Sequence, residues 1–147
     1  MKLAYCGPTG VFGGVRILVE HCNRLAERGH DVTLIGTSGA PVEWLPCQFE
    51  QRPLADPGAG YDVVVGTALY TWPLVVETFP DTRHCGLLQM AEWLTFAKDS
   101  QEYKANLAAF TAPVEVLAIS DWLAQLAKAA GQRRKHTKIL RGLVCLR

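Results

Sequence analysis

The residues of this chain whose types and spacing could do chemistry begin with four glycines near the N-terminus. Gly7, Gly10 and Gly13 are spaced G-x-x-G-x-x-G, and Gly14 follows directly. Because glycine has no Cβ, backbone N–H groups in such a loop can approach an anion closely, and a helix that begins there adds the positive end of its dipole. The spacing predicts a phosphate-handling loop. For Gly7 and Gly10 the alternative is a tight turn between strand and helix.

Four polar or aromatic side chains are further candidates for ligand contact. Arg16 falls in the first turn of the helix expected after the glycines, where its guanidinium could bind a phosphate or simply face solvent. Gln89, Glu92 and Trp93 lie at and just after an apolar run at residues 83–89 that predicts a strand. Open α/β sheets bind ligands outside the carboxyl ends of their strands, so these three are expected to contact a ligand. The alternative is a loop that Trp93 anchors.

Short apolar runs predict the strands that must position these residues. The runs are continuous, as in parallel strands covered on both faces, and most end near glycine or a polar turn. Strands are expected at residues 2–6, 31–35, 61–66, 83–89 and 115–119, with shorter ones at 47–51 and 138–140.

Four helices are expected between these strands. The first has apolar residues at helical spacing along one face and ends at Gly29, which can form a left-handed cap. Pro73 is a candidate break in the second, and Ser120 is expected to cap the fourth rather than to bind a ligand. Strands that alternate with helices predict an α/β fold with a doubly wound, Rossmann-like parallel sheet. The predicted helices cover residues 15–28, 68–78, 99–110 and 121–131.

A glycine-rich βαβ opening is typical of NAD(P)-linked short-chain dehydrogenases and of nucleotide-sugar glycosyltransferases. A dinucleotide site needs an acidic residue near the end of the second strand for the ribose hydroxyls. Here that strand runs into Gly36, Thr37 and Ser38, with neither a carboxylate nor a compensating arginine. None of the tyrosines begins the Tyr-x-x-x-Lys pattern that short-chain dehydrogenases share. A short-chain-dehydrogenase-like oxidoreductase is therefore kept as the alternative.

Five segments in order support the other class. They are GGVR at residues 13–16, LAERGHDVTL at 25–34, YDVVVGT at 61–67, QMAEW at 89–93 and ISDWL at 119–123. Together they resemble the N-terminal half of GT-B glycosyltransferases, especially the retaining family four. The fourth segment is similar to one found in relatives that build bacterial polysaccharides. The resemblance covers nearly all of the chain.

The resemblance implies a role for each candidate residue. Residues 1–147 would form the Rossmann-like acceptor-side lobe, a single lobe of a GT-B enzyme that moves a sugar from a nucleotide-sugar donor to a glycan or lipid-linked acceptor. It implies no metal and no cofactor. The donor phosphate or sugar would lie near Gly13, Gly14 and Arg16. The acceptor would contact Gln89, Glu92 and Trp93.

The resemblance also implies a second lobe. After residue 140 the family shows an asparagine-glycine turn and a donor-binding domain with paired glutamates, whereas this chain has Arg141 and ends at Arg147. We expect the parent protein to be a retaining hexosyltransferase and the 147-residue chain alone to be inactive, because one lobe cannot enclose both substrates. A non-catalytic sugar- or nucleotide-binding module remains open.

The composition limits the classes of binding partner that can be expected. The chain is 49% hydrophobic and carries a net charge of +1, so nucleic acid is not expected. Five scattered cysteines without a CxxC pair favour a reduced, cytoplasmic compartment, and the four histidines show no metal-binding spacing. RRKH at residues 133–136 is a solvated loop or a peripheral contact with the inner membrane surface. An exposed cleft face would allow a homodimer.

Overall fold

The computed structural model describes residues 1–129 and 138–139, with side chains through residue 129, and these form one parallel sheet with helices between its strands. Seven strands pair in the order β3-β2-β1-β4-β5-β6-β7, and every neighbouring pair is parallel. The strands are β1 (Lys2–Gly7), β2 (Asp31–Gly36), β3 (Glu50–Pro53), β4 (Val63–Gly66), β5 (Arg83–Leu88), β6 (Glu115–Ala118) and β7 (Lys138–Ile139).

Helices cover both faces of this sheet. They are α1 (Gly13–Glu27), α2 (Thr71–Thr78), α3 (Gln101–Ala109) and α4 (Asp121–Ala129). Successive side chains of a strand point to opposite faces. On β1, Leu3 and Tyr5 pack in the cluster that contains the buried stripe of α1, whereas Ala4 and Cys6 pack with Val75 of α2. The predicted α/β class and doubly wound Rossmann-like sheet are therefore confirmed.

The stripe predicted for α1 is the one that the helix buries. Val15, Leu18, Val19 and Cys22 are all buried against the sheet. Gly29 has a φ of 81°, and its N–H donates to the carbonyl of residue 26 at 2.9 Å, so the chain leaves the helix and turns into β2. The glycine cap at this position is confirmed.

The third strand was predicted at residues 47–51 and lies instead at Glu50–Pro53. Asn23 of α1 explains the shift, because its side chain donates to the Pro46 carbonyl and accepts from the Gln48 N–H. These bonds hold residues 46–48 against α1, so pairing with β2 starts only at Glu50.

The second helix also differs from the prediction. It begins at Thr71 rather than at residue 68 and runs unbroken through Pro73. Pro73 lies in the first turn, where a backbone N–H has no partner within the helix, so proline is tolerated there. An unpredicted 3₁₀ turn covers Glu92–Thr95. Four predicted features lie outside the described residues: the end of the last helix at 130–131, the RRKH cluster, residue 140 and Arg141.

The strand order determines where the candidate residues meet. The chain proceeds from β1 outward to β2 and β3, then returns to the other side of β1 and continues from β4. The order therefore reverses between β1 and β4, and loops that leave their carboxyl ends diverge to opposite faces. In open α/β sheets the crevice at such a point is the usual ligand site.

Candidate functional site

A cavity of about 320 Å³ opens at this reversal, and we call it the switch-point cavity. Loops that follow three adjacent strands line it. Its size is near the lower end of the range for small-molecule sites, about 300–1,000 Å³. The lining includes Phe12 and Gly14 after β1, Thr67 and Tyr70 after β4, and Gln89 and Glu92 after β5.

Gln89 lines this cavity and carries an unpaired carbonyl. Its Oε1 is buried and has no hydrogen-bond partner among the residues that the structure describes. It faces Gly14, since a Cβ built on Gly14 would lie 3.6 Å from Oε1. A buried acceptor without a donor costs about 1–3 kcal/mol, and such groups are uncommon in folded proteins. Because this oxygen is buried, the Gln89 side chain must turn toward the cavity before a ligand hydroxyl or amine can satisfy it.

Glu92 adds a carboxylate to the same cavity. It is the first residue of the 3₁₀ turn, and its two oxygens accept from the Leu69 N–H at 3.2 and 3.3 Å. Burial raises the pKa of Glu92, and the hydrogen bond from Leu69 offsets only part of that rise. The carboxylate can accept hydrogen bonds from ligand hydroxyls.

The N-terminus of α1 reaches the cavity through Gly14. Gly13 and Gly14 are the first two residues of the helix, whose N–H groups have no partner within a helix. Phe12 precedes them without a side-chain cap, and no acidic residue lies in the first turn. The positive end of the helix is therefore available to a ligand. Gly13 is exposed and does not line the cavity.

Two other predicted site residues lie elsewhere. Arg16 is exposed on α1 and lines neither of the two cavities described here. Trp93 is 5% exposed, and its ring packs edge-on against Phe110 with centroids 5.0 Å apart. Its ring therefore anchors the loop after β5. The structure brings together Gly14, Gln89 and Glu92, and leaves Gly13, Arg16 and Trp93 outside the lining.

Sequence reasoning missed the loop after β4. Tyr70 lines the cavity, and its hydroxyl lies 2.8 Å from Oγ1 of Thr37 in the loop after β2. Thr67 also lines the cavity and donates to the Cys6 carbonyl at 3.1 Å, while its side chain occupies the space where Gly7 would carry a Cβ. The signal that identified Gln89, a position just beyond a strand, would have found both residues.

Apolar side chains surround the mouth of the cavity. Phe12, Tyr70 and Met90 line it and yet are 62%, 52% and 50% exposed, and we call these three the apolar rim. Leu94 and Phe96, which follow in the loop after β5, are exposed as well. A run of exposed apolar side chains around a cavity is typical of an interaction site rather than of ordinary surface.

A smaller cavity of about 180 Å³ lies at the carboxyl ends of β2 and β3, and we call it the β2-edge cavity. Its polar groups are paired within the protein. Oγ1 of Thr9 lies 2.5 Å from Ser38 Oγ and donates to the Ala40 carbonyl at 2.6 Å. Gln51 accepts from the backbone N–H of Val42 and donates to its carbonyl.

Arg52 is the one feature of this second cavity that bears on a dinucleotide. It comes from β3 and lines the region beside the end of β2 where a ribose or its phosphate would lie. Its guanidinium is bonded to Glu50 at 2.8 Å and lies 3.5 Å from Asp56. The arginine missing from the end of β2 in sequence is thus supplied from β3, but it is already paired with carboxylates.

Comparison with protein-family models and with curated proteins found no match for the chain. Within residues 1–129 and 138–139, no helix combines the length and apolar character needed to cross a bilayer. In the same part of the chain, no three His, Cys, Asp or Glu side chains cluster as metal ligands would. Function is therefore inferred from the geometry of the two cavities.

Proposed function

We propose that this domain is the acceptor-binding lobe of a glycosyltransferase and that the switch-point cavity receives a hydroxylated ring of the acceptor. The observation that carries the proposal is the pair of hydrogen-bond acceptors, Gln89 Oε1 and the Glu92 carboxylate, in one cavity at the point where the strand order reverses. Sugar hydroxyls are donors, so they complement both groups. The resemblance to GT-B enzymes supports the same assignment.

In this proposal the lobe contributes orientation. Sugar transfer requires an acceptor hydroxyl to be held against the anomeric carbon of the donor while the leaving diphosphate is stabilised. Gln89 and Glu92 would fix the acceptor ring. The N-terminus of α1 at Gly13 and Gly14, with Arg16 exposed on its first turn, would face the nucleotide-sugar donor. A second lobe would hold most of the donor, so the 147-residue chain alone would not catalyse sugar transfer.

The proposed cellular location of the lobe depends on the kind of acceptor. We place the lobe in the cytoplasm, with peripheral contact at the inner membrane when the acceptor is lipid-linked. The apolar rim, Phe12, Tyr70 and Met90, would lie toward that acceptor. The same exposed surface allows self-association at high protein concentration.

Binding to the 147-residue chain tests the proposal. Titration calorimetry and NMR should detect saturable binding of methyl glycosides, and Gln89→Leu should weaken it at least about tenfold because it removes the hydroxyl-accepting carbonyl. Gln125→Leu is the matched control, since Gln125 is exposed on α4 and lines neither cavity. Absence of glycoside binding, or enzyme-like turnover of a nucleotide sugar by this chain, would contradict the proposal.

A second candidate is an NAD(P)-binding oxidoreductase. The strand order, with its reversal between β1 and β4, is also that of dinucleotide-binding folds, and Arg52 lies beside the end of β2. The absence of a carboxylate at residues 36–38 and the pairing of Arg52 with Glu50 weigh against it. Tight binding of NADPH in the same titration would reverse the order of the two candidates.

A further inference from the structure

The charge of the switch-point cavity limits its occupant. Among the residues that the structure describes, its lining contains one carboxyl, Glu92, and no lysine, arginine or histidine. An anionic group placed inside would approach that carboxylate, and among the described lining residues only the N-terminus of α1 at Gly14, and no cationic side chain, would offset the repulsion. Gln89 Oε1 and Glu92 both demand donors. In the proposed function these donors are sugar hydroxyl groups, so the inner part of the occupant is taken as an uncharged group that carries hydroxyls.

The size of the cavity limits how much of the occupant enters. A volume of about 320 Å³ lies at the small end of ligand sites, so it fits a sugar ring and leaves little room for a long substituent. Anything attached to that ring must leave across the apolar rim. Phe12, Tyr70 and Met90 are each at least half exposed, so the attached part meets aromatic and thioether surface. An apolar substituent would bury this aromatic and thioether surface away from water.

We propose that the acceptor is a neutral amphiphile, a single sugar head joined to an apolar tail, with the head on Gln89 and Glu92 and the tail on the apolar rim. This inference rests on the proposed function and adds the substrate class: a glycolipid-type acceptor without a phosphate at the head. The two halves of the site are separable because the acceptors come from the loop after β5, and two rim residues, Phe12 and Tyr70, come from the loops after β1 and β4.

Titration of the 147-residue chain with matched ligands tests each half. The ligands are octyl glucoside, galactoside and mannoside below their micelle concentrations, the three methyl glycosides, 1-octanol and octyl phosphate. At least one octyl glycoside should bind about tenfold or more tighter than its methyl counterpart, because the tail buries rim surface. Gln89→Leu should weaken octyl glycoside binding and leave octanol unchanged. Phe12→Ser should bring the octyl glycoside close to the affinity of the methyl glycoside.

Two exposed residues of α4 provide the control variants. Trp122→Ser removes an aromatic side chain that is 56% exposed away from the cavity, and Gln125→Leu removes an exposed amide. Neither should change the affinity of any ligand. Circular dichroism of every variant establishes that a lost affinity is not a lost fold.

Each contrary result has its own meaning. Methyl glycosides that bind through Gln89 without any gain from the tail would overturn the amphiphile and leave the proposed function standing. If octanol binds as tightly as the octyl glycosides and Gln89→Leu leaves glycoside affinity unchanged, both the amphiphilic acceptor and the proposed function are overturned. Octyl phosphate that binds more tightly than the glycosides would exclude a neutral head. A dimer that Phe12→Ser dissociates in sedimentation would assign the rim to a second copy of the chain instead.

Discussion

The two cavities at the carboxyl edge of the sheet lie on either side of β1 and differ in how their polar groups are satisfied. In the β2-edge cavity, Thr9, Gln51 and Arg52 are all bonded within the protein. In the switch-point cavity, the Gln89 carbonyl has no partner among the described residues, and burial raises the pKa of Glu92. The loop after β1 contributes to both cavities, with Thr9 on one side and Phe12 on the other. Paired groups stabilise the fold, whereas the unpaired Gln89 carbonyl costs stability and is left for a ligand to satisfy.

The largest expected loss of stability comes from a substitution in the β2-edge cavity, whose polar groups are paired. In Gly36→Ala the new Cβ would lie 3.0 Å from Thr9 Cγ2 and 3.4 Å from the Ala40 carbonyl oxygen. We expect the free energy of unfolding in urea to fall by about 1–3 kcal/mol, as for other overpacked sites. Glycoside binding at the switch-point cavity should not change. Adding Thr9→Ser, which removes Cγ2 and keeps the hydroxyl, should restore part of the loss; a double variant no more stable than Gly36→Ala would contradict this explanation.

Gln89→Leu should raise the free energy of unfolding, in contrast to Gly36→Ala. Replacing a buried acceptor that lacks a donor with an apolar group of similar size should raise the free energy of unfolding by about 1 kcal/mol. The same change removes the carbonyl that we assign to the acceptor, so stability should rise as glycoside affinity falls. Urea unfolding of Gln89→Leu beside Gln125→Leu measures the first effect. A Gln89→Leu variant that is less stable than wild type would show that this carbonyl is satisfied within the protein.

Gly14→Ala should reduce glycoside affinity with a smaller change in stability than Gln89→Leu. Its Cβ would lie 3.6 Å from Gln89 Oε1, an ordinary contact, so the fold should be retained and α1 should gain up to about 0.5 kcal/mol from alanine. The methyl group nevertheless takes the space in front of Oε1, and glycoside affinity should fall. Gly13→Ala is the matched control, because its Cβ would meet nothing within 4 Å. Equal glycoside affinities in the two variants would place the ligand elsewhere.

The smallest effect is a change in pH dependence. The pKa of Glu92 is raised in the folded protein above its usual 4.5, so the folded state holds this proton more tightly than the unfolded chain. The contribution of Glu92 to stability is therefore complete at pH values below its usual pKa. It is lost as pH rises through the pKa that Glu92 has in the folded protein. Relative to wild type, Glu92→Gln should gain stability as pH rises above the usual pKa of Glu92. Urea unfolding at a series of pH values from 4.5 upward checks it; parallel pH curves for the two proteins would contradict it.

Much of the fold was predictable because its signals are local. Gly29 forms the expected left-handed cap, and Ser120 accepts from the Leu123 N–H at 3.2 Å as an N-cap should. Runs of apolar residues predicted the strands of the sheet other than the polar β3, and hence the α/β class. Such patterns need only the chain near each residue, since caps and strand periodicity involve neighbours in sequence.

The site was only partly predictable because it is made by contacts between distant segments. Gln89 and Glu92 were found from their position after a strand, but their approach to Gly14 and Leu69 depends on the strand order. Trp93 was read with them as one segment, although the 3₁₀ turn directs its ring into the core. The β3 boundary was missed for the same reason, since Asn23 on another element sets it.

The contact between Gly7 and Thr67 has a consequence for how such a domain can evolve. The Thr67 hydroxyl group, bonded to the Cys6 carbonyl, fills the space where any other residue at position 7 would carry its Cβ. Substitutions at the two positions are therefore not independent, because a side chain at 7 requires the Thr67 hydroxyl group to move or to be replaced. In homologous sequences the two positions should covary, so a pair that varies freely would show that the ends of β1 and β4 can separate during divergence.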